Sequence, residues 1–177
     1  MKTSNKTKIT SLVYAAVCLA LCLVLPFLTG QLPQIGNALC PMHIPVLLAG
    51  FLCGPWWALA VGLVAPLLRH TLFLMPPLMT AIAMSFELAA YGLISGLMYR
   101  KLPKTTGNIY VSLLTAMAGG RVIWGIARLA LTGVTGKPFT FAMFLAGAFT
   151  SAIPGIIVHI LLIPVLVMAL KKANIIK

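Results

Sequence analysis

Long apolar runs separated by short polar or Gly/Pro-containing breaks make up most of this chain. The first run extends from Ile9 to Leu28 and the last from Phe139 to Leu170. A helix that crosses a bilayer needs about 20 apolar residues, because each residue rises 1.5 Å through about 30 Å of hydrocarbon. Barrel strands would instead alternate apolar and polar residues over about ten positions, and no such alternation occurs in Leu12 to Leu28 or Ile156 to Leu170. The pattern predicts an all-α membrane protein, a single domain over residues 1–177 with six transmembrane helices.

The breaks give the boundaries. Helix 1 runs from Ile9 to Leu28 behind Lys2, Lys6 and Lys8. That start resembles a signal peptide's charged and apolar regions, but the run is too long and no small-residue cleavage site follows, so the helix is expected to be retained. A loop from Gly30 to Met42 follows, with Pro33, Gly36, Asn37 and Pro41 opposing helix. Helix 2, His43 to Cys53, is short for a crossing. Gly54-Pro55 turns into helix 3, Trp56 to Leu74, whose Trp56 and Trp57 suit a membrane interface. Met75-Pro76-Pro77 opens helix 4, Leu78 to Tyr99, and the polar stretch Arg100 to Asn108 is the sharpest break in the chain. Helix 5 spans Ile109 to Thr132, a loop covers Gly133 to Pro138, and helix 6 runs to Leu170 with a bend expected at Pro154-Gly155.

Composition strengthens this reading. Of the 177 residues 61% are hydrophobic and 8% charged, and the mean hydropathy is +1.08, which excludes an ordinary soluble domain. The net charge of +12, from 13 Lys+Arg against one acid, would suggest nucleic acid in a soluble chain. Its distribution gives a different meaning. Lys2, Lys6, Lys8, Arg100, Lys101, Lys104, Lys171, Lys172 and Lys177 fall at one set of span ends, against Lys137 in an opposite loop. The excess predicts that both termini are cytoplasmic in a multi-pass protein of the cell membrane, its basic residues meeting anionic lipid, with no nucleic-acid partner. Cys18, Cys22, Cys40 and Cys53 have no C-x-x-C spacing, and the acid and histidine ligands of a metal site are scarce, so neither metal nor cofactor is expected.

Four charges remain inside predicted spans: Arg69, Glu87, Arg121 and Arg128. Each costs about 2.5 to 3.5 kcal/mol at mid-membrane, so such residues find partners or serve a function. Glu87 and Arg121 lie roughly 15 Å from the outer ends of their helices and are placed to pair; Arg69 and Arg128 lie roughly 6 to 8 Å down. No second acid exists for them. Arg121, Trp124 and Arg128 share one face of helix 5, a basic and partly aromatic surface suited to a carboxylate or phosphate. Two structural alternatives stay open. Arg69 and Arg128 could snorkel or bond backbone carbonyls, and Glu87 with Arg121 could simply hold helices 4 and 5 together. Gln34 and Asn37 offer amide hydrogen bonds, and Trp124 offers stacking or packing. His43 and His70 lie toward the outer side and His159 within helix 6, each read by default as a packing residue.

Helix 1 carries Ala16-x-x-x-Ala20, a spacing that lets another helix approach closely in lipid. Gly92-x-x-x-Gly96, Gly120, Gly125, Ala142, Ala146 and Gly147 read mainly as internal packing.

The basic N-terminus, the Ala16-x-x-x-Ala20 helix, the long first loop, six spans and the stretch Pro41-Met42-His43-Ile44-Pro45-Val46-Leu47-Leu48-Ala49-Gly50 together resemble the S components of energy-coupling factor (ECF) vitamin transporters. The resemblance covers nearly the whole chain. It implies a substrate-capture subunit of an ATP-driven importer, with Ala16 and Ala20 docking on a transmembrane coupling (T) subunit driven by two cytoplasmic ATPases. It further implies a pocket on the outer side under the first loop, with Gln34, Asn37, Arg69, Glu87, Arg121, Trp124 and Arg128 on or near it. Among the vitamins carried by that family, anionic pantothenate first and folate second fit the arginines better than riboflavin or thiamin.

This chain has no G-x-x-x-x-G-K-[ST] loop, so ATP hydrolysis is expected to reside in partners. It also lacks a nucleophile-base pair, so no enzyme activity is expected. The competing reading is a stand-alone secondary transporter or channel for a small anion, although the two halves show no convincing repeat.

Overall fold

The computed structural model describes residues 2–29, 39–136, 140–148 and 150–176. Among these the regular structure is entirely helical. Helix α1, Lys2–Val24, passes into a 3-10 turn, Leu25–Thr29; α2 is His43–Leu52, α3 Pro55–Phe73, α4 Leu78–Lys101, α5 Thr106–Thr135, α6 Phe141–Ala148 and α7 Ile153–Lys172. A 3-10 turn, Thr150–Ala152, precedes α7.

Among the described residues, five helices are long and apolar enough to cross a membrane: α1 with its 3-10 extension, α3, α4, α5 and α7. Against the six spans expected, the described residues hold these five and one shorter apolar helix. Helix α2 has 10 residues, about 15 Å of helix or half the hydrocarbon thickness. Its His43, Pro45, Val46, Leu47, Ala49, Gly50 and Phe51 are buried, so it is a half-length core helix.

The expected single helix 6 is corrected, because it divides into α6 and α7. Pro154 lies in the first turn of α7, where its missing N–H breaks no helical hydrogen bond. The helix boundary therefore falls ahead of this proline, with α7 starting at Ile153. Helix α5 extends beyond the predicted limits at both ends and is capped by Thr105, whose hydroxyl accepts from the Asn108 amide at 3.4 Å.

Small residues hold the centre together. Side chains at Gly62 and Gly92 would overlap the backbone of Leu88 and Ala58, respectively, and a Cβ on Gly96 would lie 2.6 Å from the Pro55 nitrogen. Helices α3 and α4 thus touch backbone to backbone along Gly92-x-x-x-Gly96. Lipid tails are as apolar as leucine, so association in a membrane relies on such close van der Waals packing.

Contacts also identify the two ends of the bundle. At one end Arg100 lies across Gly54, Lys104 Nζ donates to the Tyr99 carbonyl, and Lys171 Nζ donates to the Lys104 carbonyl at 2.5 Å. Lys8 of α1 shares a cavity there with Arg100. Lys8, Arg100, Lys104 and Lys171 therefore occupy the same end. At the opposite end the C-terminus of α1 meets that of α3, with the rings of Phe27 and Phe73 edge to face at 5.0 Å.

Candidate functional site

The polar centre is built on α4. Glu87 and Tyr91 are one turn apart on that helix and are each 1% exposed. Gly120 of α5 makes room for the Tyr91 ring, because any side chain at 120 would overlap it. The next residue, Arg121, consequently reaches the carboxylate, with Nη1 2.9 Å from Glu87 Oε1. His43, the first residue of α2, brings Nε2 to 3.5 Å from the same oxygen. Its ring stands 5.2 Å from Tyr91 and stacks at 5.8 Å on His159 of α7. Residues of α2, α4 and α5 thus meet at one carboxylate, and α7 joins them through the His43–His159 stack.

The cluster is close but incompletely hydrogen-bonded. Both ring nitrogens of His43, Glu87 Oε1, Arg121 Nε and His159 Nε2 are buried without a directed hydrogen bond among the described residues. The short Arg121–Glu87 distance coexists with this because the groups attract as charges without an N–H aimed at the oxygen. A buried polar atom left unmet costs about 1 to 3 kcal/mol. Several at one point single this cluster out as the candidate site.

The other expected site residues are distributed differently. Arg69, 3% exposed, donates through Nη1 to the Leu23 carbonyl and lies between the rings of Phe27 and Phe73, at 5.0 and 5.2 Å. It serves the junction of α1 and α3, away from the carboxylate. Arg128 lies over the Trp124 ring at 5.9 Å, and Trp124 packs against Phe144 of α6 at 6.1 Å. Together they form the α5–α6 contact two turns beyond Arg121. His70 Nδ1–H donates to the Pro76 carbonyl at 2.8 Å and holds the α3–α4 turn. Ala16 and Ala20 are exposed on α1, whereas Ala15, Cys18 and Cys22 face the core. Gln34 and Asn37 lie outside the described residues, as does Lys137.

His43 and His159 join the site although their sequence context suggests packing, and Tyr91 joins it as well. Tyr91 was legible as the i+4 neighbour of the only acid in the chain. The histidines carry no such signal, because nearly all-round apolar helices do not reveal which face turns inward.

The family described as ECF transporter, substrate-specific component, matches residues 10–167. The chain belongs to that family. Comparison with curated proteins and with solved structures gave no match. As an S component the protein is the substrate-capture subunit of a transporter, a multi-pass membrane protein of a family that works with T and ATPase modules. The matched region contains His43, Glu87, Tyr91, Arg121 and His159. The polar centre of this S component therefore lies wholly within the part that defines its family.

Proposed function

We propose that this S component captures a small anionic vitamin, pantothenate ahead of folate, at the buried cluster of Glu87, Arg121, His43, Tyr91 and His159. The observation that carries this reading is the set of unmet nitrogens around a single carboxylate: Arg121 Nε, both nitrogens of His43 and His159 Nε2 against Glu87 Oε1. One carboxylate balances one guanidinium, and the remaining imidazoles can donate to a second anion. Pantothenate offers a carboxylate for such donors and hydroxyls that can donate to Glu87. Arg128 over Trp124 supplies further positive charge on the same face of α5, suited to the same ligand or to the two carboxylates of folate. Gln34 and Asn37 are assigned the amide contacts from the first loop.

In this reading, Ala16 and Ala20 receive the T subunit, two ATPases drive transport, and both termini are cytoplasmic. The gathering of Lys8, Arg100, Lys104 and Lys171 at one end agrees with that orientation under the positive-inside rule. Family membership favours this arrangement over a stand-alone carrier.

Titration of the purified protein with pantothenate, folate, riboflavin and thiamin tests the substrate class. The expected order is pantothenate, then folate, with the other two weak. Arg128→Ala is expected to weaken binding of the preferred anion by at least about tenfold, in line with loss of a hydrogen bond to a charged group. Tight binding of riboflavin or thiamin with no effect of Arg128→Ala would sink the anion reading.

A further inference from the structure

The basic end holds a cavity that the capture of substrate does not use. Its volume is about 200 Å³, and it is lined by Lys8 and Ser11 of α1, Cys53, Trp56 and Trp57 around the α2–α3 turn, and Arg100 of α4. Gly54, at φ +86°, makes this turn and leaves the space over it that the Arg100 guanidinium occupies. The first helical hydrogen bond of α3 is Ala58 N–H to the Gly54 carbonyl at 3.1 Å. The N–H groups of Trp56 and Trp57 precede it and have no carbonyl within their own helix.

Two cations, a hydroxyl and a helix N-terminus therefore converge, a combination that favours an oxyanion. The chain has only one acidic residue, Glu87, and it is committed to the buried cluster of α4. No carboxylate side chain of this protein is left to balance Lys8 and Arg100. An anion from outside the chain can balance them.

The surroundings point to its source. Trp56 is 69% exposed, Trp57 38%, and Leu12, one turn along α1 from Lys8, 49%. Indoles favour the level of lipid headgroups, and the apolar face of α1 continues from there toward the hydrocarbon. We propose that this cavity binds the phosphate of an anionic phospholipid, held by Lys8, Arg100 and Ser11 with the indoles at headgroup level and an acyl chain along α1. A soluble phosphate would satisfy the same polar groups but would leave the exposed indoles and Leu12 without a role.

The test uses the full chain purified in neutral detergent, with phosphatidylglycerol, phosphatidylcholine or inorganic phosphate added and retention read by native mass spectrometry. One phosphatidylglycerol per chain is expected to be retained in clear preference to phosphatidylcholine. Lys8→Gln and Arg100→Gln are each expected to reduce that preference by roughly fivefold. Lys101→Gln and Lys172→Gln, exposed and outside the cavity, should change it less than about twofold by the same surface electrostatics. Because Lys8 is exposed, its variant tests the site even if Arg100→Gln fails to fold.

Equal losses in both pairs of variants would reduce the effect to general surface charge and overturn the proposal. So would displacement of the lipid by millimolar inorganic phosphate, which would identify a site for a free anion. If Lys8→Gln abolished co-purification of a T subunit without changing lipid preference, the surface would belong to that protein partner, and the lipid assignment would fail.

Discussion

Arg69 and Arg121 face the same difficulty and resolve it in opposite ways. Each is a guanidinium within a span-length helix. Arg69 is committed to one carbonyl and two phenyl rings, contacts that belong to the fold. Arg121 is drawn to a carboxylate but retains an unmet Nε beside two imidazoles that are also incompletely bonded. The arginine with local, self-contained partners reads as part of the fold in our proposal. The one whose surroundings remain unfinished belongs to the candidate site. The cost of burial alone did not separate them; the accounting of partners does.

The Leu23 carbonyl explains why Arg69 is placed as it is. Helix α1 changes to 3-10 at Leu25, and in a 3-10 turn the Leu23 carbonyl would accept from the N–H of residue 26. Residue 26 is proline and has no N–H. An arginine from α3 fills the gap, and lipid could not have done so.

The largest expected effect comes from breaking the pair at Arg121. Glu87→Ala should destabilise the protein in detergent by about 3 to 5 kcal/mol, the usual result of stranding a buried charge, as measured by thermal unfolding. The double variant Glu87→Gln/Arg121→Gln should recover much of that loss while leaving ligand binding impaired; recovery of both would make the pair purely structural.

Next, Arg69→Leu should cost about 1.5 to 3 kcal/mol, the value of a hydrogen bond from a charged donor, with ligand affinity in surviving protein changed less than about twofold. An affinity loss as large as that of Arg121→Gln would erase the distinction between the two arginines. The smallest effect belongs to Phe27→Leu, expected to lower stability by about 0.5 to 2 kcal/mol through loss of one cation–π contact, again without altering binding titrations.

Much of this was readable in the residues. Gly54-Pro55, Met75-Pro76-Pro77 and the polar run after Tyr99 marked turns where the helices do end, because these residues act locally. Depth counting brought Glu87 level with Arg121, since rise per residue is nearly constant. The break before Ile153 was less legible because proline is compatible with either a bend or a helix start. The partners of Arg69 lie on another segment and depend on how α1 ends, while His43 and His159 meet only through the packing of α2 and α7. Such relationships have no one-dimensional signature.

Helix α2 has an electrical consequence beyond its short length. A helix that starts at His43, whose side chain reaches Glu87, places the positive end of its peptide dipoles near that carboxylate, equivalent to roughly half an elementary charge concentrated in the first turn. A full-length span would carry that end out to water, where solvent would mute it. Starting within the bundle, α2 delivers a fixed positive field to the protein's interior, available equally to the resident carboxylate and to an arriving anion, and beyond the reach of any side-chain substitution that leaves the helix intact.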